Sequence, residues 1–395
     1  MEQTPISMRK HIALVGDTNS GKSTLFNRLL GQDISIVSDV SGTTTDSVIK
    51  AMELIPYGPV ALMDTAGLSD ESELGKQRMD KTLKTLDRAD LILYILDAAA
   101  HEASAIYFSK PAVIVFNKCE LLDEDTLLWL KKENQNAVFL SNFGNDGLEA
   151  LKARMVEELK KLDAPVEEEK KEEETWVGDL LPEKSTVVLV TPIDSAAPKG
   201  RLILPQVQIL RDCLDHNMKV MVTKETELKE VLDELKKVDL VITDSQIFPM
   251  VDEIVPKEIP LTSFSMLLAR KKGDFAQYLE GVSHFANLKD GDAILVLEGC
   301  THNTTHEDIA RRKLPVLVHN KLGVGCRFFY FSGYDFPDDL SEYKMALSCG
   351  MCMINKQEVE TRMKRLKEAN IPVSNYGVAI AYLNGILDRA TEIFK

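Results

Sequence analysis

Short, uninterrupted apolar runs recur along this chain, separated by stretches whose apolar residues return every three or four positions. Ile12–Val15, Val60–Met63, Leu91–Leu96 and Ala112–Phe116 are such runs in its first part. A strand apolar at successive positions has both faces covered, as in a parallel sheet flanked by helices. Val48–Leu54 and Ala137–Leu140 read as two more strands, the first followed by a turn at Pro56–Gly58. The spacing predicts helices over 24–30 and about 74–88, and a third whose Leu148, Leu151, Met155, Leu159 and Leu162 share one face.

The alternation pauses at 167–174, a run of Glu and Lys with no apolar face, preceded by Asp163-Ala-Pro165. Such a run is solvated and marks a linker. Beyond it, Thr186–Val190, Val220–Val222 and Leu240–Ile242 predict strands. They alternate with helices over 203–216, carrying Ile203, Val207, Leu210 and Leu214 at helical spacing, and 225–236. Ala293–Leu297 and Arg327–Phe331 are further strands, followed by a helix over about 356–369 and a last one over 378–394 with Leu383, Ile386, Leu387 and Ala390 on one face. Short βα units imply parallel sheets, so the expected class is α/β throughout. The expected divisions are a first domain at 1–162, an acidic linker at 163–184, a middle α/β domain at 185–268 and a last domain at 269–395.

Composition narrows the picture. The chain has 395 residues, enough for two or three cores, with 44% hydrophobic and 28% charged residues. A net charge of −15 disfavours a broad nucleic-acid footprint. No apolar run approaches the roughly eighteen residues of a membrane span, and even Tyr376–Leu383 stops at Asn384. Residues 1–10 lack the apolar core of a signal peptide. Six cysteines in such a chain are expected in a reducing cytoplasm, as metal ligands, catalytic groups or core residues rather than disulfides.

The first apolar run leads into Gly16-Asp-Thr-Asn-Ser-Gly-Lys22-Ser23, and a helical segment follows. Gly-x-x-x-x-Gly-Lys-Ser between strand and helix is a phosphate-binding P-loop. Gly16, Ser20 and Gly21 let backbone N–H groups curl round an anion, Lys22 reaches the β- and γ-phosphates, and Ser23 ligates Mg²⁺ with Thr24 beside it. The polar loop 39–46 contributes Thr44 as a further Mg²⁺ ligand. The run Val60–Met63 ends in Asp64-Thr-Ala-Gly67, fitting a Mg²⁺-water ligand at Asp64 and a γ-phosphate sensor at Gly67. Asn117-Lys118-Cys119-Glu120 after a buried strand suits guanine, whose N1–H and 2-amino group a carboxylate accepts. Ser141 and Asn142 close the base-contacting loop.

Four motifs in this order resemble the small GTPases, specifically the bacterial branch near tRNA-modification and ribosome-assembly GTPases. That resemblance implies GTP as ligand and hydrolysis to GDP and phosphate. Glu120 stands where the family usually has Asp, which predicts weaker guanine binding. Leu68 stands where Ras-like enzymes place a water-orienting glutamine, which predicts low intrinsic turnover. Asn19 occupies the position that, in potassium-activated relatives, helps hold K⁺ against the phosphates.

The last domain carries Gly299-Cys300-Thr-His302 at a strand end and Ser348-Cys349-Gly-Met-Cys352 before a helix. Cys-x-x-Cys at a helix start suits two thiolates on one metal, their pKa lowered by the helix end. Cys300 adds a third sulfur that a redox dithiol does not need. Three readings stay open: a zinc site completed by His302, a cubane iron–sulfur cluster, or buried free thiols. His306 and His319 are more ordinary as surface or core residues, and Cys119, Cys213 and Cys326 have structural explanations.

A GTPase head, an acidic linker, a βα middle domain and Cys-x-His followed distantly by Cys-x-x-Cys resemble the iron-only (FeFe) hydrogenase maturation GTPases, the HydF family. The resemblance spans the chain. It implies a 4Fe–4S cluster on Cys300, Cys349 and Cys352 with a fourth iron position open or weakly held, and a homodimer formed through the middle domain. It also implies a scaffold that receives a di-iron precursor from radical-SAM maturases and passes it to apo-hydrogenase. The family often has a histidine immediately before Cys-x-x-Cys, and Ser348 takes that place. The fourth ligand is then His302, an outside group, or unassigned. Two other classes compete: an RNA-modification or ribosome-assembly GTPase, and a zinc enzyme with a fused regulatory GTPase.

Overall fold

A computed structural model of the chain describes residues 4–31, 48–65, 85–100, 108–141, 147–164, 175–193, 202–299 and 309–395. The loop with Thr44, Gly67 and Leu68, most of the expected helix 74–88, Asn142, the acidic run 167–174, and Cys300, His302 and His306 lie outside the described residues. The chain falls into two compact units that divide between Lys170 and Lys171.

The first unit is one six-stranded sheet with helices. In chain order it runs β1 (Lys10–Gly16), α1 (Lys22–Gly31), β2 (Ile49–Leu54), β3 (Gly58–Asp64), β4 (Leu91–Asp97), β5 (Ala112–Asn117), α2 (Glu124–Glu133), β6 (Val138–Phe139) and α3 (Leu148–Asp163). The sheet order is β2-β3-β1-β4-β5-β6, parallel except for the β2–β3 pair at one edge. Ile12, Leu14, Leu93 and Val115 are wholly buried on one side, and Ala13, Val15 and Met63 pack into a second core. Leu14 pairs with Asp64, Gly16 with Ile95 and Asp97 with Asn117, so every motif strand ends on one edge. In α3, Leu148, Leu151, Met155 and Leu159 are buried as expected, but Leu162 is 39% exposed. Its turn has run past the apolar core, and there the helix is held by polar bonds to Asp163 from Tyr57 Oη (2.7 Å) and Lys10 Nζ (3.2 Å).

The second unit holds two four-stranded sheets, every pairing parallel. The first comprises β7 (Thr186–Val190), α4 (Leu204–Asp215), β8 (Lys219–Thr223), α5 (Leu228–Glu234), β9 (Leu240–Thr243), α6 (Phe248–Ile254), β10 (Leu261–Ser263) and α7 (Phe264–Lys272), in strand order β10-β9-β7-β8. After α8 (Phe275–Gly281) the second comprises β11 (Ala293–Glu298), α9 (Leu314–Leu322), β12 (Arg327–Ser332), β13 (Tyr343–Ser348), α10 (Lys356–Glu368), β14 (Val373–Asn375), α11 (Tyr376–Leu383) and α12 (Leu387–Thr391), in order β12-β11-β13-β14. Val188 and Val241 of the first sheet share one core with Leu295 and Leu347 of the second.

Two expectations fail here. Helix α4 buries Pro205, Gln206, Ile209 and Cys213; of the expected face Leu210 is half-buried against the same core, while Leu214 is 54% exposed. The buried Gln206 side chain turns back to accept from the Ile203 N–H (3.1 Å), which lets a polar residue take an inward position in the first turn. The expected terminal helix 378–394 is two helices, broken at Asn384–Gly385 where Gly385 takes φ 73°, a value that suits glycine and ends a helix. Among the described residues no helix is long and apolar enough to cross a membrane.

Candidate functional site

Two sites emerge, one in each unit. In the first, β1 delivers Gly16 against the β4 backbone so closely that any side chain would strike the Ile95 carbonyl oxygen. Asn19 (φ 65°) and Gly21 (φ 93°) turn the loop before α1 begins at Lys22. Lys22 is buried, its ammonium donating to the carbonyls of Gly16 (2.9 Å) and Asp17 (2.6 Å); burial lowers its pKa, with Asp64 and Asp17 opposing.

Ser23 Oγ donates to Asp64 Oδ2 (3.0 Å), while Asp64 Oδ1 is buried with no hydrogen-bond partner among the described residues. Burial lifts the Asp64 carboxyl above its ordinary value, and Ser23 and Lys22 pull it back. A hydroxyl beside a carboxylate with one unspent oxygen fits Mg²⁺ and its waters. Asn117, wholly buried, donates from Nδ2 to the Ser20 carbonyl (2.9 Å), fastening the base-reading strand end to the phosphate loop. Lys118 sits in the left-handed region (φ 62°) and pairs with Asp97 at 2.6 Å. Glu120 lies in the short turn Cys119–Leu121. Thr24 is exposed on the first turn of α1.

Two residues that the motifs did not indicate complete this site. Arg28, one and a half turns into α1, donates to the Ser141 carbonyl (2.6 Å), and Asp97 anchors Lys118. Neither belongs to a sequence signature, because each acts on a backbone or on a lysine distant in the chain.

In the second unit, β11 and β13 are neighbours, with Leu297 opposite Ser348. The segments leaving them, Gly299 and Cys349, therefore emerge side by side. The Gly299 N–H donates to Cys349 Sγ at 3.0 Å, and the Met351 N–H donates to the same sulfur at 3.3 Å. Two amides aimed at one sulfur suit a metal-bound thiolate, whose charge they offset. Cys300 follows Gly299 directly but lies outside the described residues, and among those described no three His, Cys, Asp or Glu side chains converge.

Cys349 and Cys352 occupy a loop, and α10 begins only at Lys356. The expected lowering of thiol pKa does not hold for the metal-free chain. Burial pushes Cys349 up to about 11, and raises Cys352 against the pull of Lys272. Desolvation outweighs a helix end that starts beyond the loop.

The loop backbone is held from two sides. Asn375 Nδ2 donates to the carbonyls of Ser348 and Cys349 (both 3.3 Å), and its Oδ1 accepts from Ser265 Oγ and the Gly377 N–H. Lys272 Nζ, from the end of α7, donates to the carbonyls of Met351, Cys352 and Ile354. Cys119 and Cys213 are buried, with thiol pKa values raised by desolvation, that of Cys213 to about 12; Cys326 stands apart at the start of β12. His319 lies near the end of α9, its ring nitrogen bonded to the Val324 carbonyl.

Comparison with known proteins covers both units. Residues 11–118 match the model of the 50S ribosome-binding GTPase family. The tRNA modification GTPase MnmE of Chromobacterium violaceum is 39% identical over 155 residues, 37% of this chain and 34% of that protein. MnmE of Bordetella avium is 36% identical over 155 residues, with 37% and 33% covered. The chain thus spans about a third of the length of these curated relatives. Among solved structures, Aquifex aeolicus Era bound to GDP·AlF4⁻ aligns at TM-score 0.31 and 19% identity, covering 55% of this chain and 94% of Era. S. thermophilus NFeoB bound to GDP·AlF4⁻ aligns at 0.27 and 24%, covering 37% and 63%.

The second unit matches other models. Residues 176–273 match the hydrogen maturase F dimerization domain and 276–393 the hydrogen maturase F tetramerization domain. More than half of the chain therefore answers to one family, following in sequence a GTPase domain whose motif strands end on one sheet edge, and the chain belongs to the HydF family of hydrogenase maturation GTPases.

Proposed function

We propose that this protein is a GTP-hydrolysing scaffold that holds a 4Fe–4S cluster on Cys300, Cys349 and Cys352. In this reading it carries a di-iron precursor from radical-SAM maturases to apo-hydrogenase in the cytoplasm. The observation that carries the reading is the Gly299 N–H on Cys349 Sγ, which brings the backbone next to Cys300 onto the sulfur of the Cys-x-x-Cys loop. Three cysteines leave one iron of a cubane without a protein thiolate, and that iron supplies an exchangeable position when the cluster is bound. His302 is the candidate for its fourth ligand.

In the GTPase head, Lys22 and the loop amides neutralise phosphate charge. Ser23, Thr44 and Asp64 hold Mg²⁺, Gly67 senses the γ-phosphate, and Asn117, Glu120, Ser141 and Asn142 read guanine. Asn19 places K⁺ where an arginine finger would otherwise act. The domain divisions at 1–162, 163–184, 185–268 and 269–395 belong to the same reading, and so does a homodimer through the middle sheet. Among the described residues its edge strand β8 pairs only with β7, and Met221 and Val222 are about 40% exposed.

Anaerobic reconstitution tests the reading. The protein should turn brown and bind about four iron and four sulfide per chain. Cys→Ser at 300, 349 or 352 should remove most of the iron and leave GTP hydrolysis intact. Changes at 119, 213 and 326 should keep the iron, and Lys22→Ala should abolish hydrolysis and keep it too. A colourless protein holding one zinc would overturn the cluster. Likeness to tRNA-modification GTPases favours a second reading as an RNA-associated GTPase, and hydrolysis stimulated by ribosomes or tRNA would support it.

A further inference from the structure

A lysine in the last turn of a helix ordinarily lays its stem on the surface and keeps its ammonium in water. Lys272 does the opposite. It is only 6% exposed, and its ammonium points away from solvent into the loop that follows β13. All three of its donors are spent, on the carbonyls of Met351 (3.0 Å), Cys352 (3.1 Å) and Ile354 (2.8 Å). The lysine belongs to the segment matched by the dimerization domain and the carbonyls to the segment matched by the tetramerization domain. One side chain thus ties the two α/β layers together at the cysteine loop.

The loop needs such a tie. Met351 takes φ 50°, a left-handed conformation that a side-chain-bearing residue adopts only when its surroundings hold it there. In the same loop the Met351 N–H donates to Cys349 Sγ. Gly350 packs against Leu268, one turn earlier on the same helix, so α7 meets the loop through an apolar and a charged contact together.

We propose that Lys272 is a positioning residue for the iron–sulfur site, fixing the shape of the Cys349–Ile354 loop and setting an ammonium group behind its sulfurs. The inference rests on the cluster reading above for its electrostatic half, and on the loop geometry alone for its structural half. A cation beside metal-bound thiolates stabilises the more reduced, more negative cluster, so its loss lowers the reduction potential. Its loss also removes three hydrogen bonds to the loop carbonyls and loosens the loop.

The test uses the full chain as wild type, Lys272→Met, Lys272→Gln and Lys272→Arg, with GTP hydrolysis by the first unit checked as unchanged. In metal-free protein, hydrogen–deuterium exchange of the backbone amides of 349–354 is read peptide by peptide. In reconstituted protein, iron retention against a chelator and the midpoint potential of the cluster are measured. Lys272→Met should exchange faster in this loop, lose about tenfold in iron affinity and shift to lower potential. Lys272→Gln keeps two N–H donors, so it carries the same test should the methionine variant not fold. Its potential should fall as far, with a smaller rise in exchange. Lys272→Arg should restore the potential. Wild-type exchange, retention and potential in both neutral variants would overturn the proposal. A wild type that takes up no cluster refutes the cluster reading instead, and the exchange rates of the metal-free proteins then decide whether Lys272 holds the loop.

Discussion

Arg28 donates a hydrogen bond to the carbonyl oxygen of Ser141 across 2.6 Å, joining the helix that follows the P-loop to the segment that follows β6. Asn117 makes a parallel link through Ser20. Two bonds, spanning 113 and 97 positions of the chain, therefore tie the P-loop side of the sheet to the segment that follows β6 and to the end of β5.

Arg28→Ala should weaken binding of GDP and GTP alike, without changing iron content. A hydrogen bond from a charged donor contributes about 1.5–3 kcal/mol when fully buried, and this arginine is half-buried. The expected loss is up to about tenfold in Kd, read by titration with a fluorescent guanine nucleotide. Unchanged affinity would mean that Ser141 is held by its other neighbours.

Hydrolysis should run faster in KCl than in NaCl at equal ionic strength, and Asn19→Ala should erase the difference. The left-handed backbone at Asn19 gives the asparagine a second role in shaping the loop, so Asn19→Gly separates the two. It keeps the conformation and removes the amide. Equal rates in both salts for the wild type would remove the cation from the mechanism.

Met221→Lys places a charge in the exposed edge strand β8, the common device against edge-to-edge pairing. Light scattering after gel filtration should show the dimer replaced by a smaller species, while nucleotide binding persists. A dimer of undiminished stability would direct attention to another face.

His11 supplies a pH dependence. It is wholly buried with Nδ1 bonded to the Arg9 carbonyl, and desolvation lowers its pKa below the ordinary 6.5 despite Arg9 and Asp90 acting the other way. Above pH 6.5 the ring is neutral folded and unfolded alike, and its contribution is fully present. As pH falls through 6.5 the unfolded chain takes a proton that the folded one resists, so stability declines by at most about 1.4 kcal/mol per pH unit until the folded value is reached. Chemical denaturation of wild type and His11→Gln between pH 7.5 and about 5.5 should show a shallower decline in the variant. Parallel curves would exclude the histidine as its source.

How much of this was legible in the sequence follows from how local each signal is. The P-loop, Asp64 and Asn117 stand out because strand, turn and helix are contiguous, and Ile12–Val15 or Leu91–Leu96 show burial directly by being apolar at every position. Helical spacing finds a face but not where the core beneath it ends, so Leu162 and Leu214 were placed inside and lie partly outside. The cysteine spacing brings two sulfurs near each other yet is blind to their desolvation, which reverses the expected pKa shift. Lys272 was the least visible. Arg270-Lys271-Lys272 at a helix end looks like an ordinary complement to the helix dipole, and nothing local reveals that the third cation turns inward.

One core of the second unit contains Trp176, near the first described residues of that unit, together with Ile393 and Phe394 at the far end of the chain, and Cys352 packs against it. Phe394 also stands edge-on to Phe275, 4.8 Å between ring centres. The unit is thus clasped shut by segments more than two hundred positions apart in the chain, so a change at Phe394 reaches the core against which Cys352 packs.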